Sequence, residues 1–410
     1  MNHNLKECKQ WADVVAYFMV LVSVFFLPVS TTLNALFIVA SFVCLLGERF
    51  QSQFRELLQL SIIRWSMALL VILFIGIFYS SAPTHDAWHA FKKYGHRLFA
   101  FMVLAPLFRL PRARQYLYIT MIVATIIYSL LDTLDVLHVL SIEAIFHKAK
   151  NEFLSEIPFS IYVACTTLLT LYLYANDKAR HPKWLAALAY QCFYLFFINQ
   201  QRTGMVVFIA MLFLYICRNL TFRQSLKFIV PGLLISLVIA LSSPAIQNRI
   251  NESMQDIEDY KKGEVHTSLG LRYEFIRYSL LIIKQQPLFG FGTGSFPTEY
   301  AKTGGPLISE EADTRLGDPH NSFLHIWIQV GVIGLIIFIG WLISQWQLSN
   351  KLMKNERALL RCFLFGFVLS CFSEAAFYRS RNATLYMTLA VVCIGNLFQR
   401  KKYDYNRYSK

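Results

Sequence analysis

The sequence predicts an all-α polytopic membrane protein with about twelve transmembrane helices. Of its 410 residues, 56% are hydrophobic and only 16% are charged. In an ordinary soluble domain, about a quarter of the residues are charged. The apolar residues also cluster into runs of about 17–22, the length that an α-helix needs to cross the hydrocarbon core of a bilayer. These observations exclude an ordinary soluble globular protein.

Apolar segments precede and follow one long polar segment. The first nine lie at 12–29, 33–46, 65–80, 98–109, 116–134, 158–174, 184–199, 205–217 and 228–243. The last three lie at 322–345, 359–376 and 383–398. The polar N-terminal residues 1–10 lack the pattern of a cleavable signal peptide, so we expect the first helix to be retained. We divide the chain into 1–245 with nine helices and short loops, 246–321 as the loop that carries the site, and 322–410 with three helices and a basic tail.

A second polar interval, 82–97, is predicted to form a helix in the membrane interface. Trp88, Phe91 and Tyr94 recur there at helical spacing beside Lys93 and Arg97. Aromatic and basic side chains in this pattern are typical of a helix that lies along the membrane surface.

The distribution of basic residues predicts the orientation of the chain. The net charge is +14, and the excess of Lys and Arg lies in the termini and in the loops on their side of the membrane. The positive-inside rule therefore predicts cytoplasmic termini. The intervals 82–97, 135–157, 199–204 and 246–321 are predicted to face outward. This distribution explains the charge without nucleic acid, and the eight cysteines are interpreted as small apolar fillers.

The loop at 246–321 is predicted to be partly helical. Apolar residues at 271, 275, 276, 279, 280 and 283 follow helical spacing, which predicts an amphipathic helix with Arg272 in its first turn. A glycine-rich turn follows at 286–296. No strand precedes this turn and no Lys-Ser/Thr pair follows it, so a nucleotide-binding loop is improbable.

Three outward-facing residues are candidates for catalysis, each with a structural alternative. Arg202 lies at a short outer hinge, where it could instead anchor to lipid phosphate. Arg272 could bind a phosphate group bidentately, or it could be a solvated charge or a partner of Glu274 or Asp256. His320 could accept a proton from an attacking hydroxyl, or it could cap a helix or lie at the surface.

Together these residues could form a device for transfer from a lipid-linked diphosphate. The arginines would hold the diphosphate and stabilise the charge that builds on it as it leaves, and His320 would activate the acceptor hydroxyl. Asp318 is a possible cap of the helix that follows. The acidic and His residues show no regular ligand spacing, so neither a metal nor another cofactor is expected.

These motifs resemble the O-antigen ligase and polymerase superfamily. The resemblance lies in the twelve-helix layout, the Gln-Gln-Arg-Thr hinge at 200–203, Leu271-Arg272, the Pro-Leu-Phe-Gly-x-Gly turn at 287–292 and His320-Asn321-x-x-Leu324. It implies that Arg202 and Arg272 bind undecaprenyl diphosphate and that His320, with Asn321 beside it, activates the acceptor. Lys93 and Arg97 lie where family members often carry basic residues near the donor.

Within the superfamily, the resemblance to O-antigen ligases implies transfer of O-polysaccharide from undecaprenyl diphosphate to a sugar of the lipid A-core. It implies a metal-independent, inverting reaction at the periplasmic face of a bacterial inner membrane. O-antigen polymerases and protein O-oligosaccharyltransferases share the motifs, and the short tail favours a ligase over protein glycosylation.

An alternative function from a different class of protein is that of a transporter or flippase of lipid-linked glycan. A flippase should carry charged residues deep inside its helices. In this chain, Glu374 is the main carboxylate near the middle or outer part of a predicted helix. We favour a structural ion pair of Glu374 with Arg379 or Arg381 instead.

Overall fold

The computed structural model describes residues 2–30, 32–33, 35–146, 154, 156–199, 201–219, 244–263, 267–305 and 317–399. Within these ranges the regular structure is helical and contains no strand, which confirms the all-α prediction. The apolar segment predicted at 228–243 and the basic tail lie outside the described residues.

Sixteen α-helices are present in the described ranges. They are α1 (Asn2–Phe26), α2 (Ala35–Leu46), α3 (Glu48–Leu58), α4 (Ser61–Phe78), α5 (Thr84–Val103), α6 (Pro111–Val136), α7 (Ile142–Phe146), α8 (Glu156–Asn176), α9 (Pro182–Phe193), α10 (Arg202–Asn219), α11 (Pro244–Lys261), α12 (Ser268–Gln285), α13 (Phe296–Lys302), α14 (Ser322–Ser349), α15 (Lys354–Ser373) and α16 (Ser380–Gly395). A 3₁₀ turn (Ala105–Phe108) and a π-helix (Tyr194–Ile198) complete them.

Several of these helices are long and apolar enough to cross a bilayer. Five such segments occur in α1, α4, α6, α8 and α14, and the bent pair α2 and α3 gives a sixth if it counts as one span. The two members of that pair meet at 91°. A protein with this set of helices is a membrane protein, whereas the number of about twelve spans stays a prediction.

The interior is built on aromatic side chains that contact each other between helices. Trp341 of α14 is fully buried and donates from Nε1 to Ser66 Oγ on α4 at 2.9 Å. The ring of Phe367 on α15 stacks on that of Tyr386 on α16, with centroids 4.0 Å apart. Lipid tails are as apolar as these side chains, so close packing rather than exclusion of water holds such helices together.

The interfacial helix predicted at 82–97 and the short helix predicted at 98–109, which the sequence allows to be continuous, form one helix over most of their length. α5 is continuous from Thr84 to Val103, and the remainder forms the 3₁₀ turn that contains Pro106. A proline lacks the N–H that would continue the α-helical hydrogen bonding, which explains the end of α5. Ala90, Tyr94 and Arg97 are buried, so one face of α5 packs into the protein rather than lying on its surface.

α14 is interrupted where the glycine-rich turn packs against it. Val330 and Gly331 leave the helical conformation, with φ/ψ values of −127°/19° and 69°/−172°. The carbonyls of Ile328 and Gln329 therefore accept hydrogen bonds from Phe291 N and Gly292 N, both at 2.8 Å. Backbone polar groups away from water need partners, and each of these two segments satisfies the other.

The glycine turn also contacts α4, and these contacts require glycine. Thr293 N donates to Gly76 O at 3.0 Å, and Thr293 Oγ1 donates to Leu73 O at 2.6 Å. Gly292 has a φ of +92°, and a Cβ added there would lie 2.2 Å from Ser80 Cα. A side chain at this position would therefore separate the turn from α4.

We expect Gly292→Ala to lower the free energy of unfolding by about 3 kcal/mol or more, because it adds a backbone clash to an unfavourable φ. The matched control is Gly263→Ala, where φ is +96° and nothing lies within 4 Å of the added Cβ. The control should lower the free energy of unfolding by only about 1–2 kcal/mol, because it adds an unfavourable φ without a clash. Denaturation of the purified variants in one detergent measures both values. Equal losses would contradict the close packing of the turn against α4.

Candidate functional site

Four charged or titratable side chains meet where the chain enters α14 and leaves α15. Arg379 Nε lies 3.1 Å from Asp318 Oδ2, and Arg379 Nη1 lies 2.8 Å from Glu374 Oε2. The second contact is a close ion pair whose angle falls outside hydrogen-bond geometry. His320 Nδ1 lies 3.3 Å from Glu374 Oε1. The predicted pairing of Glu374 with an arginine is confirmed, and the partner is Arg379.

Burial and charge act in opposite directions on this cluster. Burial raises the pKa of Asp318, but the attraction of Arg379, followed by that of His320 and His325, holds this pKa below its ordinary value. Burial lowers the pKa of Arg379, whereas Asp318 and Glu374 raise it, with a net rise. Arg379 and Asp318 are therefore charged across the physiological range.

His320 is held in one orientation from several sides. Its φ of +49° is left-handed, and its backbone N donates to Asp318 Oδ1 at 3.0 Å. The imidazole stacks on Phe275 with ring centroids 5.4 Å apart. Arg379 Nη2 lies 3.2 Å from Nε2. A neutral ring with its proton on Nδ1 satisfies both contacts, donating to Glu374 and accepting from Arg379.

The helix cap predicted at Asp318 is wrong, because the cap is Asn321. Asn321 Oδ1 accepts from Phe323 N and Leu324 N, both at 3.0 Å. Its Nδ2 donates to Phe372 O at 3.3 Å. Asp318 instead pairs with Arg379, which lies far away in sequence. The amide of Asn321 thus fixes the start of α14, and contact between Asn321 and a substrate stays a prediction.

Lys93 and Arg97 reach the same region from α5. Lys93 Nζ lies 3.2 Å from Tyr378 Oη and 4.5 Å from the centroid of its ring. Arg97 is buried and donates to Tyr378 O at 3.3 Å, to Ser380 Oγ and to Lys93 O. The structure therefore brings these two cations to the segment that contains Arg379.

Arg272 lies on the helix that carries Phe275. Positions three apart on a helix share a face, so Arg272 and the ring that stacks on His320 project from the same side of α12. The predicted alternative partners are occupied elsewhere. Glu274 pairs with Arg277 at 3.4 Å and accepts from Tyr260 Oη at 2.7 Å, and Asp256 Oδ2 accepts from Leu269 N at 3.4 Å.

Arg272 is half-buried, and no hydrogen bond or ion pair holds its side chain within the described part of the chain. A fixed positive charge with no partner among the described residues is available to an anionic ligand.

Arg202 begins α10, and its side chain is exposed. The π-helix before it begins at Tyr194, which is fully buried and donates to Asp132 Oδ2 on α6 at 2.6 Å. Asn199 N in turn donates to Tyr194 O at 2.9 Å. The hinge before Arg202 is thereby tied to α6. α10 also packs against α15, the helix whose C-cap is Glu374.

The glycine turn contributes no phosphate-binding amides. The N–H groups of residues 291–293 donate to backbone carbonyls of α14 and α4, and Gly294 N donates to Gln329 Oε1 at 2.7 Å. The turn is therefore a packing element. In the ranges that the structure describes, no group of three His, Cys, Asp or Glu side chains is arranged to hold a metal ion.

Five contributors to the site were not predicted from the sequence as site residues: Asp318, Glu374, Arg379, Tyr378 and Phe275. Arg379 follows an apolar segment directly, and a charge in that position is a functional candidate by default. That signal could have identified it. Phe275 carried no such signal, because an aromatic residue on an amphipathic helix is ordinarily a packing residue.

Residues 186–339 match the family model described as O-Antigen ligase. This range contains Arg202, Arg272, His320 and Asn321, and it excludes Lys93, Arg97, Glu374 and Arg379. The chain is also similar to an uncharacterized protein of Haemophilus influenzae, with 24% identity over 151 residues. That match spans 36% of this chain and 38% of the relative.

We expect Asp318→Asn to lower the free energy of unfolding at neutral pH by about 2 kcal/mol, because a buried charged partner of Arg379 is lost. The folded-state pKa of Asp318 lies below its ordinary value of 3.8. The stabilisation is therefore fully present above the unfolded-state pKa and is lost as the pH falls through the folded-state pKa. The free energy of unfolding, measured over a pH series, should differ from that of the wild type by a constant amount down to about pH 4. Below this pH the difference should become smaller.

The control for this prediction is Asp259→Asn. Asp259 pairs with the exposed Lys262 at 3.7 Å, and surface pairs of this kind contribute little. A difference for Asp318→Asn as small as that of the control would contradict a stabilising role of the Asp318–Arg379 pair.

Proposed function

We propose that this chain, whose residues 186–339 match the O-Antigen ligase family model, transfers O-polysaccharide from undecaprenyl diphosphate to a sugar hydroxyl of the lipid A-core. The observation that carries this proposal is the setting of His320. Its imidazole contacts Glu374 through Nδ1 and stacks on a ring of α12, the helix that presents Arg272.

In this proposal His320 is the general base. The acceptor hydroxyl oxygen attacks the anomeric carbon of the donor sugar, and its proton passes to His320 Nε2. Glu374, paired through Nδ1, stabilises the imidazolium that forms, in the manner of a carboxylate that orients a catalytic histidine. Arg379 Nη2 lies 3.2 Å from Nε2, and the hydroxyl of a bound acceptor would take this position.

The donor diphosphate is held by the basic residues. The bond between the anomeric carbon and the phosphate oxygen breaks, and its electron pair leaves with undecaprenyl diphosphate. Attack from the opposite face inverts the anomeric carbon in one displacement. Arg272 and Arg202 bind the diphosphate and stabilise its growing charge, and Lys93 and Arg97 bind it from α5. This reaction needs neither a metal ion nor another cofactor.

The proposed location is a bacterial inner membrane, with about twelve spans and cytoplasmic termini. Residues 246–321 form an outward loop between the spans of 1–245 and those of 322–410, so the site faces the periplasm. No ATP is present there, which makes a lipid-linked donor the natural energy source.

The same geometry suits an O-antigen polymerase or a protein O-oligosaccharyltransferase, which use the same donor. The acceptor supplied in an assay distinguishes these enzymes from a ligase.

We expect the wild-type chain to restore O-antigen ladders on lipopolysaccharide gels in a ligase-deficient strain whose core it accepts. Arg272→Ala and His320→Ala should each lower transfer by about a hundredfold or more, because they remove charge stabilisation and the general base respectively. Arg272→Lys should rescue only partly, since the bidentate fork is lost.

The matched control is Arg277→Ala on the same helix. Arg277 is exposed and pairs with Glu274, so its removal should leave the ladders intact. Normal ladders from Arg272→Ala at equal abundance in the membrane would sink the diphosphate role of Arg272. Polymer that accumulates on the lipid carrier in place of ladders would favour the polymerase.

The proposed orientation predicts opposite labelling of two positions in a cysteine-free background. Lys302→Cys lies in the proposed outer loop, and Lys351→Cys lies in a proposed inner loop. In intact spheroplasts, a membrane-impermeant maleimide should label the first variant and should label the second only after lysis. Labelling of Lys351→Cys before lysis would contradict the proposed orientation and indicate the opposite one.

A further inference from the structure

A cavity of about 530 Å³ lies between the ends of α6, α8, α9 and α15. Its lining includes several basic side chains and aromatic rings. They include Arg114, Lys178, His181, Lys183, Tyr118 and Tyr172. The volume is within the range of small-ligand sites, about 300–1,000 Å³.

This cavity is remote from the candidate site described above. α15 begins beside Glu356, which lines the cavity, and ends 18 residues later beside Glu374. A helix of that length spans about 30 Å. The chain then returns through α16, beyond which Gln399 Oε1 accepts from Arg114 Nη2 at 3.1 Å. The cavity and the cluster around His320 therefore lie at opposite ends of the same two helices.

Among the described residues, Arg114 is a buried cation whose hydrogen-bond partners are all uncharged. Its side chain is part of a residue that is 6% exposed. Nη1 donates to Phe108 O at 3.1 Å and to Arg109 O at 3.2 Å, and Nη2 donates to Gln399. No carboxylate lies within ion-pair distance of Arg114 in the described ranges. A buried charge without an opposite charge is costly, so Arg114 favours an anion in the cavity it lines.

A second buried arginine shows a different solution. Arg361 is also 6% exposed and hydrogen-bonds Ser349 Oγ at 2.8 Å and Asn350 Oδ1 at 2.6 Å. Its guanidinium additionally covers the ring of Trp346 at 4.5 Å, which is a favourable cation–π contact. Arg361 does not line the cavity, whereas Arg114 does.

In the described ranges, neither carboxylate of the cavity forms an ion pair with Arg114, Lys178 or Lys183. Asp177 accepts from Ala179 N at 3.1 Å, from His181 N at 3.2 Å and from Trp184 Nε1 at 3.2 Å. These contacts fold the loop between α8 and α9 onto Asp177. Glu356 also lines the cavity, without an ion pair to Arg114 in the part of the chain that is described. Lys178 and Lys183 are exposed at the rim of the cavity, and Lys183 Nζ lies 5.2 Å from the centroid of the Trp184 ring.

We propose that this cavity binds a phosphate-ester anion. The guanidinium of Arg114 supplies a permanent positive charge that favours a phosphate in the cavity it lines, and Lys178 and Lys183 add positive charge. The phosphate could belong to a phospholipid headgroup or to a soluble phosphate ester. Basic pockets between helices at a membrane face bind anionic headgroups, and the aromatic walls suit the boundary between headgroup and acyl chain.

The test measures binding of three probes to the purified full-length chain in detergent by native mass spectrometry. The probes are a short-chain phosphatidylglycerol, the matching phosphatidylcholine and glycerol phosphate. We expect the phosphatidylglycerol to bind at least about tenfold more tightly than the phosphatidylcholine, because only the first carries a net negative charge. The double variant Lys178→Gln/Lys183→Gln should lose about tenfold in affinity.

The matched control is Arg112→Gln/Lys354→Gln. Both residues are exposed and neither lines the cavity, so the same charge is removed from the same end of the molecule. The control should bind the phosphatidylglycerol as the wild type does. Arg114→Gln should abolish binding where it folds. If Arg114→Gln does not fold, Lys178→Gln/Lys183→Gln still tests the anion site, because both lysines are exposed and their replacement should not affect folding.

Each probe also distinguishes the sources of the phosphate. Glycerol phosphate that binds as tightly as the lipid identifies a soluble ester, and binding of the lipid alone identifies a headgroup. Both results support an anion site. Equal affinities of Lys178→Gln/Lys183→Gln and the control for every probe, or equal binding of the two lipids without binding of glycerol phosphate, would overturn the proposal. None of these outcomes depends on glycosyl transfer.

Discussion

The ion pairs of Arg379 are the constraint on which the candidate site depends. Glu374 is fully buried and Asp318 nearly so, and neither carboxylate could stay charged there without a cation. Arg379 pairs with both and thereby joins the segment before α14 to the segment before α16. His320 lies between them, so its ring is oriented by charges that the fold cannot rearrange without a large loss of stability.

A second constraint is the exchange of backbone hydrogen bonds between the glycine turn and the break in α14. Irregular backbone at membrane depth is tolerated only where protein satisfies its polar groups. The carbonyls released at the break accept from the turn, and Gln329 also accepts from Gly294 N while donating to Tyr94 Oη on α5 at 3.1 Å. The turn and Gln329 together therefore connect α4, α5 and α14.

The sequence predicted most helices in this structure and part of its site. Helical periodicity located the helix with Arg272, and the apolar segment at 322–345 corresponds to α14. The helix break at Val330 and the role of Asp318 could not be predicted, because both depend on residues far along the chain. A local pattern assigned Asp318 to a helix cap, whereas the distant charge of Arg379 binds it in the folded protein. Cation pairing with Glu374 was predictable because a buried carboxylate requires it.

The dependence of the transfer rate on pH, measured for wild type and Glu374→Gln, tests the central claim most directly. The assay uses the purified chain with undecaprenyl-diphosphate-linked glycan and lipid A-core. If His320 is a base supported by Glu374, loss of the carboxylate disfavours the imidazolium. The variant should then be slower, and the acid limb of its profile should move to lower pH. A variant with the wild-type rate and an unshifted acid limb would contradict the account.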